Sequence, residues 1–308
     1  MVATGRVPAP LTVAVAVVAV VATVITGQEP VFRAGVESVR VDVSVTRGNR
    51  PVTGLTAGDF EVVDNGVTSA VTSVSREDVP LRLLLVLDTS ASLDGPLLST
   101  LVDAATGLVR ALRPSDEVGL LTFDQSPRVV LPPSTGHKTV VDALVQLRAN
   151  GPTAWRDALF AALQLVAGGE ASRPVVLLFT DGADTASWMD ADGIAEAVRR
   201  SGVVVHSLGF RERPRRVGDT SANLLGWVGA SRSLQRAVDA GGGRQWLAEE
   251  PRLVRQLFAT ALDELRARYL LTYSPAGPVT SGWHDVRVRV KRGRADVKAR
   301  PGYFVPAQ

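Results

Sequence analysis

Two aspartates follow near-continuous apolar runs that have the composition of buried strands. Asp88 opens the segment DTSAS at residues 88–92, and Asp181 ends a second run of the same kind. In open α/β sheets, binding sites form beyond the carboxyl ends of strands. Because alternate side chains share a side of an extended chain, Asp88, Ser90 and Ser92 are expected to point the same way. Two carboxylates and two hydroxyls at one sheet edge predict a cation site.

Mg²⁺ is the cation that we expect there, with Mn²⁺ or Ca²⁺ as alternatives. Mg²⁺ prefers six oxygens at ~2.0–2.1 Å and commonly keeps several waters, so a complete cage of protein ligands is not required. The chain has no cysteine and only three widely separated histidines, His137, His206 and His284. This composition excludes thiolate ligands, disulfides and a lipoprotein anchor, and the histidines have no zinc-ligand spacing.

The alternative role for Asp88 and Ser90 is to cap the helix that follows them. Asp94 and Asp184 also lie close to the two motifs in sequence. Asp94 is a candidate for loop capping or for an outer contact, and direct coordination by either residue is not expected.

Between residues 81 and 267, short apolar strands alternate with amphipathic helices. This order predicts an α/β fold, with a mostly parallel sheet and helices on both faces. The stretch 217–246, which is rich in glycine, is interpreted as a long loop. The predicted strands are 81–88, 117–123, 128–131, 174–181 and 203–210, and the predicted helices are 97–112, 138–148, 154–167, 190–200 and 252–267.

Segments with β character flank this region on both sides. Residues 39–46 alternate valine with polar residues, and Asn65-Gly66 is a strong signal for a two-residue hairpin turn. Each segment alone offers few strands and one apolar face, so we expect the two to pack together as a small β domain. The competing arrangement has the C-terminal strands extend the central sheet. The predicted organisation is 1–27 targeting segment, 28–80 N-terminal β segment, 81–267 α/β domain and 268–308 C-terminal β segment.

The N-terminus has the chemistry of an export signal. After Arg6, residues 11–25 contain no polar side chain except threonine. Fifteen residues fit the core of a signal peptide better than a membrane span, which needs about 20. A cleaved signal is the first interpretation, and an uncleaved anchor or a buried helix are the alternatives. The first two predict an exported protein: periplasmic, cell-surface or secreted.

The charge balance does not favour nucleic-acid binding. The 308 residues have a net charge of +3, from 34 basic and 31 acidic side chains, and a nucleic-acid binder concentrates basic residues on one face. The basic residues between 287 and 300 are interpreted as the wet face of strands. The run RERPRR at 211–216 is interpreted as a solvated loop, with contact to an acidic partner as the alternative.

The segment DTSAS resembles the D-x-S-x-S motif of the metal-ion-dependent adhesion site (MIDAS) of von Willebrand factor A (VWA) domains. In that family a threonine on a later loop and an aspartate after the fourth strand complete the site. Gly151-Pro152-Thr153 and Thr180-Asp181-Gly182 resemble those two loops, and the proline departs from the usual Gly-Gly-Thr and stiffens its loop. The resemblance implies these metal ligands: Asp88, Ser90, Ser92, Thr153 and Asp181.

The flanking segments VRVDVSVT, GLTAGDFEVVDNG, YLLTYSP and VKARPGYF resemble those of a bacterial VWFA-related family, so the resemblance covers most of residues 30–304. It implies an exported module with no catalytic activity, in which a partner protein's acidic side chain completes the metal shell. Leu93, Trp155, Trp188 and Met189 are expected apolar neighbours of that contact, with a core role for the two tryptophans as the alternative.

The alternatives to this function are a scaffold with a purely structural metal and, less favoured, a hydrolytic enzyme. A hydrolase built on Ser90 needs a histidine partner that the sequence does not place, and no nucleotide-binding or nucleophile-elbow motif occurs. A subunit of a cytoplasmic metal-chelatase or ATPase assembly conflicts with the export signal.

Overall fold

The structure is a computed structural model that describes residues 38–48, 50–76, 79–167, 172–181, 184–210 and 232–307. The predicted targeting segment 1–27 and the basic run 211–216 lie outside these residues. Within the described ranges, no helix is both long enough and apolar enough to cross a membrane.

Strands flank a central region of alternating strands and helices. The strands are β1 (Val39–Arg47), β2 (Arg50–Pro51), β3 (Phe60–Asp64), β4 (Val67–Ser69), β5 (Val71–Ser75), β6 (Leu81–Asp88), β7 (Glu117–Phe123), β8 (Pro127–Ser134), β9 (Arg173–Thr180), β10 (Val204–Phe210), β11 (Gln245–Ala248), β12 (Tyr269–Tyr273), β13 (Gly282–Val290), β14 (Asp296–Ala299) and β15 (Gly302–Val305). The helices are α1 (Pro96–Arg110), α2 (His137–Leu144), α3 (Trp155–Val166), α4 (Ala191–Ser201), α5 (232–240) and α6 (Pro251–Ala267).

The central region folds into a six-stranded sheet in the order β11-β10-β9-β6-β7-β8. Its strands are parallel except for β8, which pairs antiparallel with β7. The predicted α/β class, with a mostly parallel sheet beside a small β domain, is therefore confirmed.

The side chains of β6 alternate between two hydrophobic cores. Leu83, Leu85 and Leu87 pack into the core that includes residues of α1, α2 and α6, whereas Leu84 and Val86 pack into the core that includes residues of α3, α4 and α5. A strand covered on both faces needs apolar residues at every position. This explains why the run before Asp88 shows no polar alternation.

The flanking segments hydrogen-bond to each other in two further sheets. In one, β1 lies between β12 and β14, and in the other β3 lies between β13 and β4. Asn65 and Gly66 have positive φ angles of 45° and 84° in the turn between β3 and β4, as the hairpin signal predicts. None of the strands β12 to β15 joins the central sheet within the described residues.

The interpretation of 217–246 as one loop is wrong at its C-terminal end. Residues 232–240 form α5, and β11 begins at Gln245 as an edge strand of the central sheet. The glycines between them permit close packing rather than flexibility. A Cβ at Gly243 would lie 1.9 Å from the carbonyl oxygen of Val205.

Buried charges join the flanking sheets to the central domain. Arg268, 1% exposed, bonds Asp42 of β1 and forms a 3.1 Å ion pair with Glu264 of α6. Its Nη2 also donates to the carbonyl of Gly242 at 3.0 Å. Because a buried guanidinium is costly without partners, this residue depends on groups from both sides of the junction.

Candidate metal centre

Asp88 and Thr180 are the last residues of two neighbouring parallel strands, β6 and β9. Thr180 Oγ1 donates to Oδ2 of Asp88 at 2.8 Å, and the backbone N–H of Ser90 donates to Oδ1 at 2.8 Å. Each carboxylate oxygen is therefore held by at least one hydrogen bond. A carboxylate has about four lone-pair sites, so both oxygens keep capacity to bind a cation.

The environment of Asp88 disfavours an isolated negative charge. Its side chain is fully buried, and burial raises its pKa from the ordinary 3.8 to about 6, against the hydrogen bonds from Ser90 and Thr180. The nearby charge of Asp181 raises this pKa further. No cationic side chain in the described residues forms an ion pair with Asp88. A buried carboxylate that is mostly ionised at neutral pH without a counter-ion fits a metal ligand.

The two serine hydroxyls lie side by side, with Ser90 Oγ and Ser92 Oγ 3.0 Å apart. Ser90 is buried and Ser92 is exposed, so the pair leads from the buried carboxylate to the surface. Ser90 precedes a short 3-10 turn, Ala91–Leu93, without capping it through its side chain. Helix α1 begins only after Gly95. The structure therefore does not show the capping role that the sequence left open.

Backbone hydrogen bonds hold the Thr153 loop against the DTSAS loop. The N–H of Ala91 donates to the carbonyl of Gly151 at 3.0 Å, and the N–H of Asn150 donates to the carbonyl of Thr89 at 2.8 Å. Gly151 has a φ of +75°, which favours glycine. Thr153 itself is buried. The loop that contains Thr153 therefore lies against the DTSAS loop.

A third loop, 184–189, is bonded to the Thr153 loop. Thr153 N–H donates to Thr185 Oγ1 at 3.0 Å, and Thr185 N–H donates to the Thr153 carbonyl at 2.8 Å. Arg156 forms a 3.0 Å ion pair with Asp184. Burial raises the pKa of Asp184, but hydrogen bonds from Arg156 and Ser187 outweigh it and hold this pKa below its ordinary value. The Asp184 carboxylate therefore stabilises this loop through its bonds with Arg156 and Ser187.

Asp157, in the first turn of α3, was not singled out by the sequence. Its two carboxylate oxygens accept from the backbone N–H groups of Trp188 and Met189 at 3.0 and 2.9 Å. Thr180 also has a role, toward Asp88, that the motif alone did not assign. The sequence did contain a signal for Asp157 and Thr180. Both are polar residues that lie next to the motif segments without being part of the motif.

The apolar residues expected around the site divide into two groups. Leu93 and Trp155 are core residues with no exposed surface. Met189 is half-buried, and Trp188 is 96% exposed. Trp155 is therefore a core residue, whereas Trp188 remains a candidate for an apolar contact with a partner.

The donor set consists of two carboxylates and three hydroxyls. Asp181 is half-buried directly after β9, and Asp94 is exposed and not part of the set. Among the described residues, no three or more His, Cys, Asp or Glu side chains form a metal-binding group. Hydroxyl ligands are thus needed for a cation here, which is the composition that Mg²⁺ tolerates because it retains waters.

The histidines are engaged away from Ser90. His137 Nε2 lies 2.7 Å from the Asp116 carbonyl, His206 Nδ1 accepts from the N–H of Arg244, and His284 Nδ1 lies 3.0 Å from Asp64. Burial also holds the pKa of His206 well below its ordinary value. Within the described residues, the Ser90 hydroxyl lies 3.0 Å from Ser92 Oγ, and none of these histidines hydrogen-bonds to it.

The mostly parallel sheet, with the DTSAS loop at the carboxyl ends of its strands, is a VWA-like α/β fold. Residues 83–183 match the family model described as von Willebrand factor type A domain. Domains of this class generally bind protein partners through a metal.

Two relatives share parts of the sequence. An uncharacterized protein of Synechocystis sp. is 32% identical over 139 residues, 43% of this chain and 32% of the relative. A UPF0353 protein of Mycolicibacterium paratuberculosis is 23% identical over 218 residues, 65% of this chain and 64% of the relative. The chain thus spans less than two thirds of the length of either relative.

Solved structures share the fold. A von Willebrand factor type A protein from Catenulispora acidiphila has a TM-score of 0.50 at 15% identity, covering 87% of this chain and 74% of that one. Proximal thread matrix protein 1 from the mussel byssus, with a zinc-occupied MIDAS motif, has a TM-score of 0.50 at 15% identity, covering 62% and 49%.

Proposed function

We propose that this protein is an exported, metal-dependent protein-binding module, in which a divalent cation at Asp88, Ser90, Ser92, Thr153 and Asp181 receives a partner's acidic side chain. The observation that carries the proposal is the fully buried carboxylate of Asp88, which forms no ion pair with a cationic side chain among the described residues and is close to a second carboxylate. Two carboxylates and neutral hydroxyls balance a divalent charge at most. The bound cation would supply a coordination position for one external oxygen.

The exposure gradient from Ser90 to Ser92 supports access from outside. The buried serine is next to the carboxylate, and the exposed one is next to solvent. A structural metal needs no such opening. The zinc-occupied MIDAS of the mussel protein supports a divalent cation at this place in the fold, and we propose Mg²⁺ because the donors here are oxygen atoms.

Trp188 supplies the second half of the proposed contact. A lone carboxylate–metal contact in water is weak, and apolar neighbours that exclude solvent strengthen it. Trp188 is the large apolar side chain that the 184–189 loop exposes, and Asp157 fixes the backbone at this position. A backbone that is already fixed loses less conformational entropy when a partner binds.

Two measurements on the full chain test the proposal. Calorimetric titration with Mg²⁺ should show one site in the natural protein, none in Asp88→Ala, and an unchanged site in Asp103→Ala, an exposed aspartate of α1. Pull-down from envelope extract should then recover a partner with Mg²⁺ and not with chelator. Equal metal binding by Asp88→Ala overturns the site, and partner recovery that ignores chelator overturns the metal-dependent function.

A further inference from the structure

A cavity of about 250 Å³ lies at the N-terminal end of β9, an inner strand of the central sheet. Arg40 and Asp42 of β1 form its wall on the flanking side together with Arg300, and Arg173 forms its wall on the central side. The candidate metal centre is at the other end of β9, eight residues away. At about 3.3 Å per residue the two places are roughly 26 Å apart. The cavity is a separate site.

Positive charge exceeds negative charge around this cavity. Its lining contains the guanidinium groups of Arg40, Arg173 and Arg300 against the carboxylate of Asp42. That carboxylate is already bonded to Arg268, and it is 3.9 Å from Arg173. The lining therefore has an excess of two positive charges, and its single carboxylate is shared.

Arg173 is 4% exposed and incompletely bonded. Its Nη1 donates to the Arg268 carbonyl at 2.9 Å and its Nη2 to the Arg76 carbonyl at 2.7 Å, while Nε has no partner. Burial holds the pKa of Arg173 below its ordinary value, and neighbouring arginines add to this. A buried donor without an acceptor is costly, so an acceptor delivered by a ligand would stabilise it.

Arg300 has the same deficit on the flanking side. Its Nη2 donates to the Arg40 carbonyl at 2.7 Å and its Nε has no partner. Among the described residues, no carboxylate lies within ion-pair distance of it. Its Nη1 rests against Gly202, where an added Cβ would be only 2.8 Å away and φ is +69°. The glycine therefore leaves room for this guanidinium at the cavity wall.

We infer that this cavity is a binding site for a tetrahedral oxyanion with two negative charges, such as phosphate or a phosphate monoester. Two negative charges match the excess of the lining. Guanidinium groups bond phosphate oxygens through pairs of parallel N–H donors, and the buried Nε donors of Arg173 and Arg300 have no other acceptor. A cavity of this volume is smaller than the usual ~300–1,000 Å³ of pockets for larger ligands, which favours a small anion or a small phosphorylated group.

The anion would connect two parts of the molecule. Arg40 and Arg300 belong to the flanking sheets and Arg173 to the central sheet, so an oxyanion bonded to all three joins them across the junction. This role is independent of the metal centre and of the partner proposed for it.

Calorimetry with inorganic phosphate, at constant ionic strength set by chloride, tests the site on the full chain. One saturable site is expected, together with a higher melting temperature in phosphate than in chloride. Arg300→Gln and Arg40→Gln should each weaken phosphate binding at least ~10-fold, because each removes a charged donor. Arg40 is exposed on β1, so its replacement tests the site even where Arg300→Gln fails to fold. Arg110→Gln, an exposed arginine at the end of α1, should leave binding unchanged.

Two further ligands, glycerol phosphate and acetate, separate the sources of the signal. Glycerol phosphate that binds as inorganic phosphate does would indicate a phosphate monoester as an acceptable ligand, and inorganic phosphate alone would indicate the free ion. Acetate that binds as tightly as phosphate overturns the assignment to a dianion. No saturable binding of either phosphate compound, or equal binding by natural protein and Arg40→Gln, overturns the site.

Discussion

Thr180 donates its hydroxyl proton to Oδ2 of Asp88 across two neighbouring parallel strands, at 2.8 Å. The bond joins the last residue of β9 to the last residue of β6, immediately before Asp181 continues the chain. It orients the buried carboxylate while leaving lone pairs on that oxygen. Thr180 is therefore a positioning residue for the proposed metal site, although it is not one of the proposed ligands.

Replacing Thr180 by valine should weaken Mg²⁺ binding by about 10- to 100-fold, the usual effect of removing a hydrogen-bond partner of a metal ligand. Valine keeps the shape and removes the donor. Calorimetric titration measures the affinity, and Thr260→Val on the exposed side of α6 is the control. An unchanged affinity would show that Asp88 needs no orientation.

The pKa of Asp88 predicts a trade-off between stability and metal binding. The folded-state pKa of about 6 exceeds the ordinary value of 3.8, so the metal-free folded state holds this proton more tightly than the unfolded state. The ionised side chain then lowers stability progressively from about pH 4 to pH 6, by roughly 3 kcal/mol above that window.

Asp88→Asn removes this ionisation. In chelator at pH 4, the free energy of unfolding of this variant should be close to that of the natural protein. At pH 7 it should exceed that of the natural protein by on the order of 1–3 kcal/mol. Urea unfolding of both proteins across this range measures the difference. A difference that stays constant with pH would contradict the raised pKa.

Removing the metal should abolish partner binding without unfolding the domain. The two cores of the central sheet are apolar and independent of the proposed ligands. Circular dichroism and binding are measured on the same sample, with chelator and with Thr153→Ala. Loss of the fold in chelator, or normal partner binding by Thr153→Ala, would instead support a structural metal.

Trp188→Ala should weaken partner binding by about 2 kcal/mol or more, as expected for an exposed aromatic at the centre of a contact. Mg²⁺ affinity and the melting temperature should stay the same, because this side chain is 96% exposed. Phe160→Ala, a second exposed aromatic on α3, is the control. Equal effects of the two substitutions would place the contact elsewhere.

Asp42→Ala should destabilise the protein by about 3–5 kcal/mol, the usual cost of leaving a buried charge without its partner. Among the described residues, Arg268 loses one of its two carboxylates in this variant, and Arg173 loses the one carboxylate within ion-pair distance. Urea unfolding measures the loss, with Asp103→Ala as the control. A change below 1 kcal/mol would mean that solvent reaches Arg268 after the substitution.

The central fold was predictable because local composition reports burial. Residues 83–87, which precede Asp88, are all apolar because both faces of β6 are covered. The polar residues follow where this cover ends. The prediction of a loop over 217–246 was wrong at its C-terminal end because a glycine needed for close packing against Val205 looks the same in the sequence as a glycine in a flexible loop. Only the neighbouring strand distinguishes the two.

The sequence by itself predicted which side chains could hold a cation and determined that the two aspartates follow parallel strands. The tertiary structure decided which neighbours act on them. Thr180 reaches Asp88 over 92 positions of sequence, and Asp157 holds the backbone of Trp188 over 31. The cavity between Arg173 and Arg300 exists only because the flanking sheets dock on the central one. Such contacts depend on strand order and loop approach, which residue types and spacing do not specify, because a hydrogen bond forms between groups close in space wherever they lie in the chain.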